Sequence, residues 1–169
     1  LTAAKINDPK SVPLLRVAKV ITGAVVGEIQ PSGDGFSWAR TGQFEGFLLR
    51  SPSQVLSERR GNEVEMVSLL VLALRQAGIP TRVVIGQEAV EGGEKDRNFL
   101  KQSGGKKVRV WAEFCLFDDV NNTVNWVPID PVRIRKDSSR PPPVEREWRF
   151  FGTHNQLNLV VPFSFTFHP

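Results

Sequence analysis

The stretch from Asn62 to Ala77 limits what this chain can become more than any other. Val64, Met66, Val67, Leu69, Leu70, Val71, Leu72, Ala73 and Leu74 leave it almost no polar face. A helix that is apolar all round has to be covered on every side, so it belongs in the middle of a domain. Its ends are marked. Asn62 is a good N-cap, and Glu65 three residues later completes a capping box. Gly78 and Pro80 supply the stop.

Beyond Pro80 the chain reads as sheet. Thr81 to Ile85 is a β-branched run, expected as a buried strand. Val108 to Phe117 alternates as a strand, Asp118 to Thr123 turns, and Val124 to Ile129 is the next strand. Trp148 to Phe151 and Leu159 to Phe167 are expected to close the sheet. A long buried helix leading into an antiparallel meander is an α+β pattern. Ahead of the helix, Val12 to Ile29 is amphipathic but interrupted by Pro13, Gly23 and Gly27, and reads as a short helix or a helix–strand pair. Pro31-Ser32-Gly33-Asp34-Gly35 is a turn. Phe36, Trp38, Phe44 and Phe47 look like apolar anchors of an irregular region. Ser51-Pro52-Ser53 opens a short helix through Leu56. The polar residues 90–106 are expected to be a mobile connection. The basic residues 133–143, ending in three prolines, are expected to be an extended connector. The chain is therefore expected to be a single domain of 169 residues: a lead-in over 1–50, a core over 51–132, and a connector with closing strands over 133–169.

Composition narrows the chemistry. A single cysteine, Cys115, excludes a disulfide framework and any multi-cysteine zinc site. His154 and His168 are the two histidines, both near the C-terminus, so no metal or other cofactor is expected. Net charge is +4. The run Arg133-Ile134-Arg135-Lys136, with Arg140 and the Lys106-Lys107 pair, invites a nucleic-acid reading. A solvated face is the better one: no aromatics interleave there, and Asp118, Asp119 and Asp137 dilute the charge. No apolar run approaches the ~20 residues of a membrane-spanning helix. The chain opens at Leu1 with no signal peptide, as a domain excised from a larger or exported protein would, and the compartment stays open.

Three ordered motifs carry a resemblance. Gly61-Asn62-Glu63-Val64-Glu65 runs into Leu69-Leu70-Val71-Leu72-Ala73-Leu74-Arg75-Gln76-Ala77-Gly78-Ile79-Pro80-Thr81-Arg82. Arg109-Val110-Trp111-Ala112-Glu113 comes next, and then Trp126-Val127-Pro128-Ile129-Asp130-Pro131. Over about residues 50–132 the chain resembles the transglutaminase-like superfamily. The resemblance implies a papain-like fold: a cysteine at the start of the central helix, then a histidine and an aspartate on adjacent strands. The helix N-terminus stabilises the thiolate, the imidazole moves the proton, and the carboxylate orients the imidazole.

At these positions the chain carries Glu63, Arg109 and Asp130. Cys115 lies beyond Trp111 on the strand rather than at the helix start, and neither histidine falls in the histidine motif. A carboxylate is a poor acyl-transfer nucleophile, and a guanidinium cannot act as a base. The expectation is a degenerate, non-catalytic site in a module that binds a peptide or another protein. Two alternatives stand beside it. One is a hydrolase using carboxylates such as Glu63, Asp130, Glu65 or Glu113. The other is a nucleic-acid-binding domain, as in a DNA-repair family whose transglutaminase-like domain lacks the cysteine. Trp38, Trp111, Glu113 and Trp126 are the candidates for ligand contact; Trp111 and Trp126 suit core and cleft wall better than a ligand platform, and Glu113 suits an arginine partner. The charge order at the three positions, negative–positive–negative, leads to a further expectation: the Arg109 guanidinium bridges Glu63 and Asp130.

Overall fold

A computed structural model describes residues 12–88, 108–153 and 160–166. Helix α1 (Leu14–Glu28) is one continuous helix, not a helix–strand pair. Its two glycines do not break it. Gly23 lies where a Cβ would come 3.3 Å from the Trp148 ring, so the missing side chain lets Trp148 approach. Two short strands, β1 (Gln30–Pro31) and β4 (Arg60–Gly61), pair in parallel. Between them β2 (Phe36–Trp38) and β3 (Phe44–Phe47) form a hairpin in place of the expected irregular region. Helix α2 (Pro52–Glu58) comes next, with Ser51 as N-cap in a full capping box.

Helix α3 (Glu63–Gln76) is the central helix. Asn62 Oδ1 accepts from Glu65 N at 2.8 Å, and Glu65 Oε2 accepts from Asn62 N at 2.9 Å. At the other end Gly78 takes φ +79, and the amides of Gly78 and Ile79 close back onto Arg75 and Leu74. That is the glycine-terminated stop the sequence encodes. Val64, Met66, Val67, Leu69, Leu70, Val71 and Leu74 are buried, and α3 packs on α1, β5, β6 and α4.

The main sheet has the order β7-β6-β5-β8, all neighbours antiparallel: β5 (Thr81–Glu88), β6 (Val108–Asp118), β7 (Thr123–Ile129) and β8 (Val160–Thr166). Val110, Ala112 and Phe114 of β6 join the core that contains α3. By the pleat, Arg109, Trp111 and Glu113 lie on the opposite face, where Trp111 packs with Val84 and Val160.

Two expectations are corrected. The basic segment begins as helix α4 (Pro131–Asp137), not as an extended connector. Asp130 caps it, Pro131 holds the first helical position, and Val132 and Ile134 are buried in the core. Trp148–Phe151 is not a strand of the sheet; it is a turn attached by one bridge between Phe151 and Ile129. Phe150 has φ +66, which no extended strand tolerates. The expected mobile connection 90–106, and both histidines, lie outside the described residues. No helix among the described residues is long and apolar enough to cross a membrane.

Candidate functional site

The site begins at the start of α3. Gly35, at φ +81, brings its backbone so close to Asn62 that a Cβ there would sit 2.3 Å from Oδ1. Asn62 Nδ2 donates to Leu48 O at 2.6 Å, and Glu63 N donates to Gly33 O at 3.0 Å. The loop over the helix start is thus pinned by the cap itself. Glu65 is buried and accepts from Arg50 N, Nε and Nη2 as well as from Asn62 N. Arg50 also pairs with Glu58 of α2 and donates to Arg60 O. The Arg50 hydrogen bonds hold the Glu65 carboxyl at about 2, well below its ordinary 4.5, against the opposing effect of burial.

Asp130 comes directly after β7, on the same sheet face as Arg109. Arg109 Nη2 donates to Asp130 Oδ2 at 2.5 Å, and both side chains are only 8% exposed. The other carboxylate oxygen, Oδ1, accepts from Arg133 N at 3.0 Å, and Arg133 Nε stands 3.8 Å from Oδ2. One carboxylate therefore caps α4 and binds the guanidinium of β6. Asp130 N donates to Phe150 O, which fixes the backbone at the same point.

Glu63 is the first residue of α3, where the helix dipole favours an anion. Its carboxylate accepts from Lys136 Nζ of α4 at 2.8 Å. Among the described residues Glu63 and Arg109 form no ion pair, so one arm of the expected bridge is present and the other is not. The reason is geometric. The strand alternation that turns Arg109 to Asp130 turns it away from the face on which α3 packs, and α4 brings a different cation to the helix start.

The ligand-contact candidates separate into two places. Trp111, Glu113 and Trp126 share the sheet face of Arg109. Trp111 Nε1 donates to Glu113 Oε1 at 2.9 Å, Arg82 binds Glu113 Oε2, and the Arg82 guanidinium lies 4.0 Å from the Trp126 ring centre. Trp111 and Glu113 are buried. Trp38 belongs to the hairpin, packed with Phe36 and Phe44, and its indole N–H has no acceptor among the described residues. Cys115 is half-buried on β6, opposite Trp126. No group of three metal-ligating side chains occurs among the described residues.

Sequence reasoning missed Arg50, Arg82 and Lys136 as partners. Arg82 is legible in retrospect from register: it lies directly across from Glu113. Lys136 carries no such signal, because it depends on how α4 packs.

The arrangement offers no proton carrier at position 109, since a guanidinium stays protonated. It holds Asp130 and Glu63 as ion-paired carboxylates. An apolar groove of about 380 Å³ lies between α1 and the far end of α3, lined by Val20, Ile21, Ala24, Ala73 and Ala77. It is at the opposite end of α3 from Glu63. The family model described as the transglutaminase-like superfamily matches residues 17–131, from α1 to the first residue of α4. Comparison with curated proteins and with solved structures gives no match.

Proposed function

The chain belongs to the transglutaminase-like superfamily, and on that premise we propose that it is a non-catalytic member whose site binds a peptide or protein segment. The observation that carries the reading is the Arg109–Asp130 pair at 2.5 Å, at the positions to which the motif resemblance assigns the family's histidine and aspartate. With Glu63 at the nucleophile position and Arg109 at the histidine position, these two positions carry neither a thiol nor an imidazole. Carboxylate hydrolysis is the weaker reading. A general acid needs a raised pKa, whereas Glu65 is pulled down to about 2, and Asp130 and Glu63 both face cations.

Binding finds its support at the helix start. Phe47, Leu48 and Leu49 are consecutive and exposed, and Leu48 is tied through its carbonyl to the α3 cap. Three adjacent exposed apolar side chains on a backbone held by hydrogen bonds suit an apolar partner segment. The test is selection from a displayed random-peptide library on the purified protein. Enriched peptides should lose about tenfold or more in affinity with Leu48→Asp or Leu49→Asp. Failure to enrich any peptide, or enriched peptides indifferent to both variants, would refute the reading.

A further inference from the structure

Pro141, Pro142 and Pro143 take no part in the site at the start of α3. Their conformation follows from covalent geometry. Each ring fixes φ at about −65°. Each proline also pushes the residue before it out of the helical region, so Arg140, Pro141 and Pro142 are held extended. Together these restraints specify one turn of polyproline II. In the fold the three prolines belong to neither helix nor strand.

The turn is pinned at both ends. Upstream, Ser138 Oγ donates to Arg140 O at 2.8 Å and accepts from Arg140 N at 3.0 Å. Downstream, Pro143 O accepts from Arg146 N at 3.0 Å and from Trp148 Nε1 at 3.1 Å. The buried Lys19 of α1 donates from Nζ to Val144 O at 3.0 Å and to Arg146 O at 2.7 Å. Between these clamps burial follows the three-residue period of polyproline II. Pro141 is half-buried, and Val144, three residues on, packs against the core. Arg140, Pro142 and Pro143 are exposed. Among the described residues, no acceptor meets the Arg140 guanidinium and no donor meets the carbonyls of Pro141 and Pro142.

A polyproline II turn has no internal hydrogen bonds, so its carbonyls stay open to a partner's donors. Its rings fit between the aromatic side chains of a groove, and a turn already ordered loses little entropy on docking. Val144 stands where a second proline at i+3 would, so the turn fills one proline slot and not the two of a PxxP ligand. The guanidinium of Arg140 adds a fork that a carboxylate matches.

We propose that the exposed Arg140–Pro143 turn is itself a docking segment. Its partner is a protein domain with one proline slot between two aromatic rings and a carboxylate beside it for Arg140. Here the chain is the ligand, a role separate from peptide capture at the start of α3.

The probe is a panel of immobilised WW domains, each presenting one aromatic proline slot, titrated with the labelled chain. At least one should bind with a Kd of about 100 μM or tighter. Pro142→Ala combined with Pro143→Ala removes both exposed rings and should weaken binding about tenfold. Arg140→Gln should weaken it about threefold. Arg59→Gln, an exposed arginine paired with Glu28 elsewhere, changes net charge equally and should leave binding unchanged. A peptide of residues 138–146 should bind no more tightly than the folded chain, because the fold already presents the prolines. No binding by any domain would overturn the proposal, as would binding indifferent to the two proline substitutions. Equal losses for Arg140→Gln and Arg59→Gln would overturn it in favour of net charge. A 138–146 peptide binding about tenfold tighter than the folded chain would overturn it by showing that the fold hides the prolines. None of these variants touches Leu48 or Leu49, so this proposal and the peptide-binding reading stand or fall separately.

Discussion

Arg109 of β6 and Asp130 at the end of β7 meet at 2.5 Å, both nearly excluded from solvent, and the same carboxylate caps α4. Sheet and helix are thus joined at one buried ion. Truncating either partner of such a pair strands the other in a poorly solvated place, which costs more than the pair's net worth.

Arg109→Ala should therefore destabilise the fold by about 3 kcal/mol. Arg109→Met combined with Asp130→Asn should cost clearly less, because asparagine can still cap α4 and no charge is left buried. Urea unfolding of the two variants checks this. An Arg109→Ala variant within about 0.5 kcal/mol of the parent would contradict it.

The contact of Glu63 with Lys136 should behave differently. Lys136 is 61% exposed and Glu63 20% exposed, so water and salt screen the pair. A double-mutant cycle with Glu63→Gln and Lys136→Met should give less than about 1 kcal/mol of coupling, shrinking further at high salt. A larger, salt-insensitive coupling would mean the helix start is more enclosed than the geometry indicates.

Gly35→Ala should damage the cap of α3 from outside the helix. The new Cβ would need the space of Asn62 Oδ1 and would sit at φ +81. The expected loss is about 2–3 kcal/mol, combining left-handed strain with loss of the cap. Gly33→Ala provides the comparison, at φ +92 with nothing within 4 Å of the added carbon. It should show the backbone strain alone, about 1–2 kcal/mol. Equal losses in thermal melts would show that the approach to Asn62 is unimportant.

Glu65 gives the acid side of the stability curve its shape. Its folded pKa, about 2, lies below its ordinary 4.5, chiefly through the Arg50 hydrogen bonds. The stabilisation is therefore complete above pH 4.5 and is lost as pH falls from 4.5 towards 2. It amounts to about 3 kcal/mol at neutral pH. Glu65→Gln should lower stability at pH 7 and flatten the fall between pH 4.5 and 2; an unchanged slope there would assign acid sensitivity to other carboxylates.

Helix α3, its capping box and the β5–β6–β7 meander are legible in the sequence because local signals and burial agree there. Asp130 facing Arg109 accords with motif register and strand alternation. Helix α4 is harder to see: seven residues rich in cations show no helical period. Asp130 as cap with Pro131 at the first position is a usable signal that the downstream prolines obscure. The aromatic Trp148–Phe151 segment mimics a strand, but the left-handed Phe150 ends that possibility, and nothing local announces it. The partner of Glu63 is set by how α4 packs against α3, a relationship with no counterpart in sequence spacing.

The claim that the triad positions hold a structural ion pair rather than a catalytic device is tested most directly by turnover. Purified protein is assayed for ammonia release from glutamine-containing peptides and for hydrolysis of an activated ester, alongside Glu63→Gln and a sample alkylated at Cys115. Rates equal to the buffer background are expected in all three. Turnover by the parent that Glu63→Gln or alkylation abolishes, with the fold retained, would contradict it.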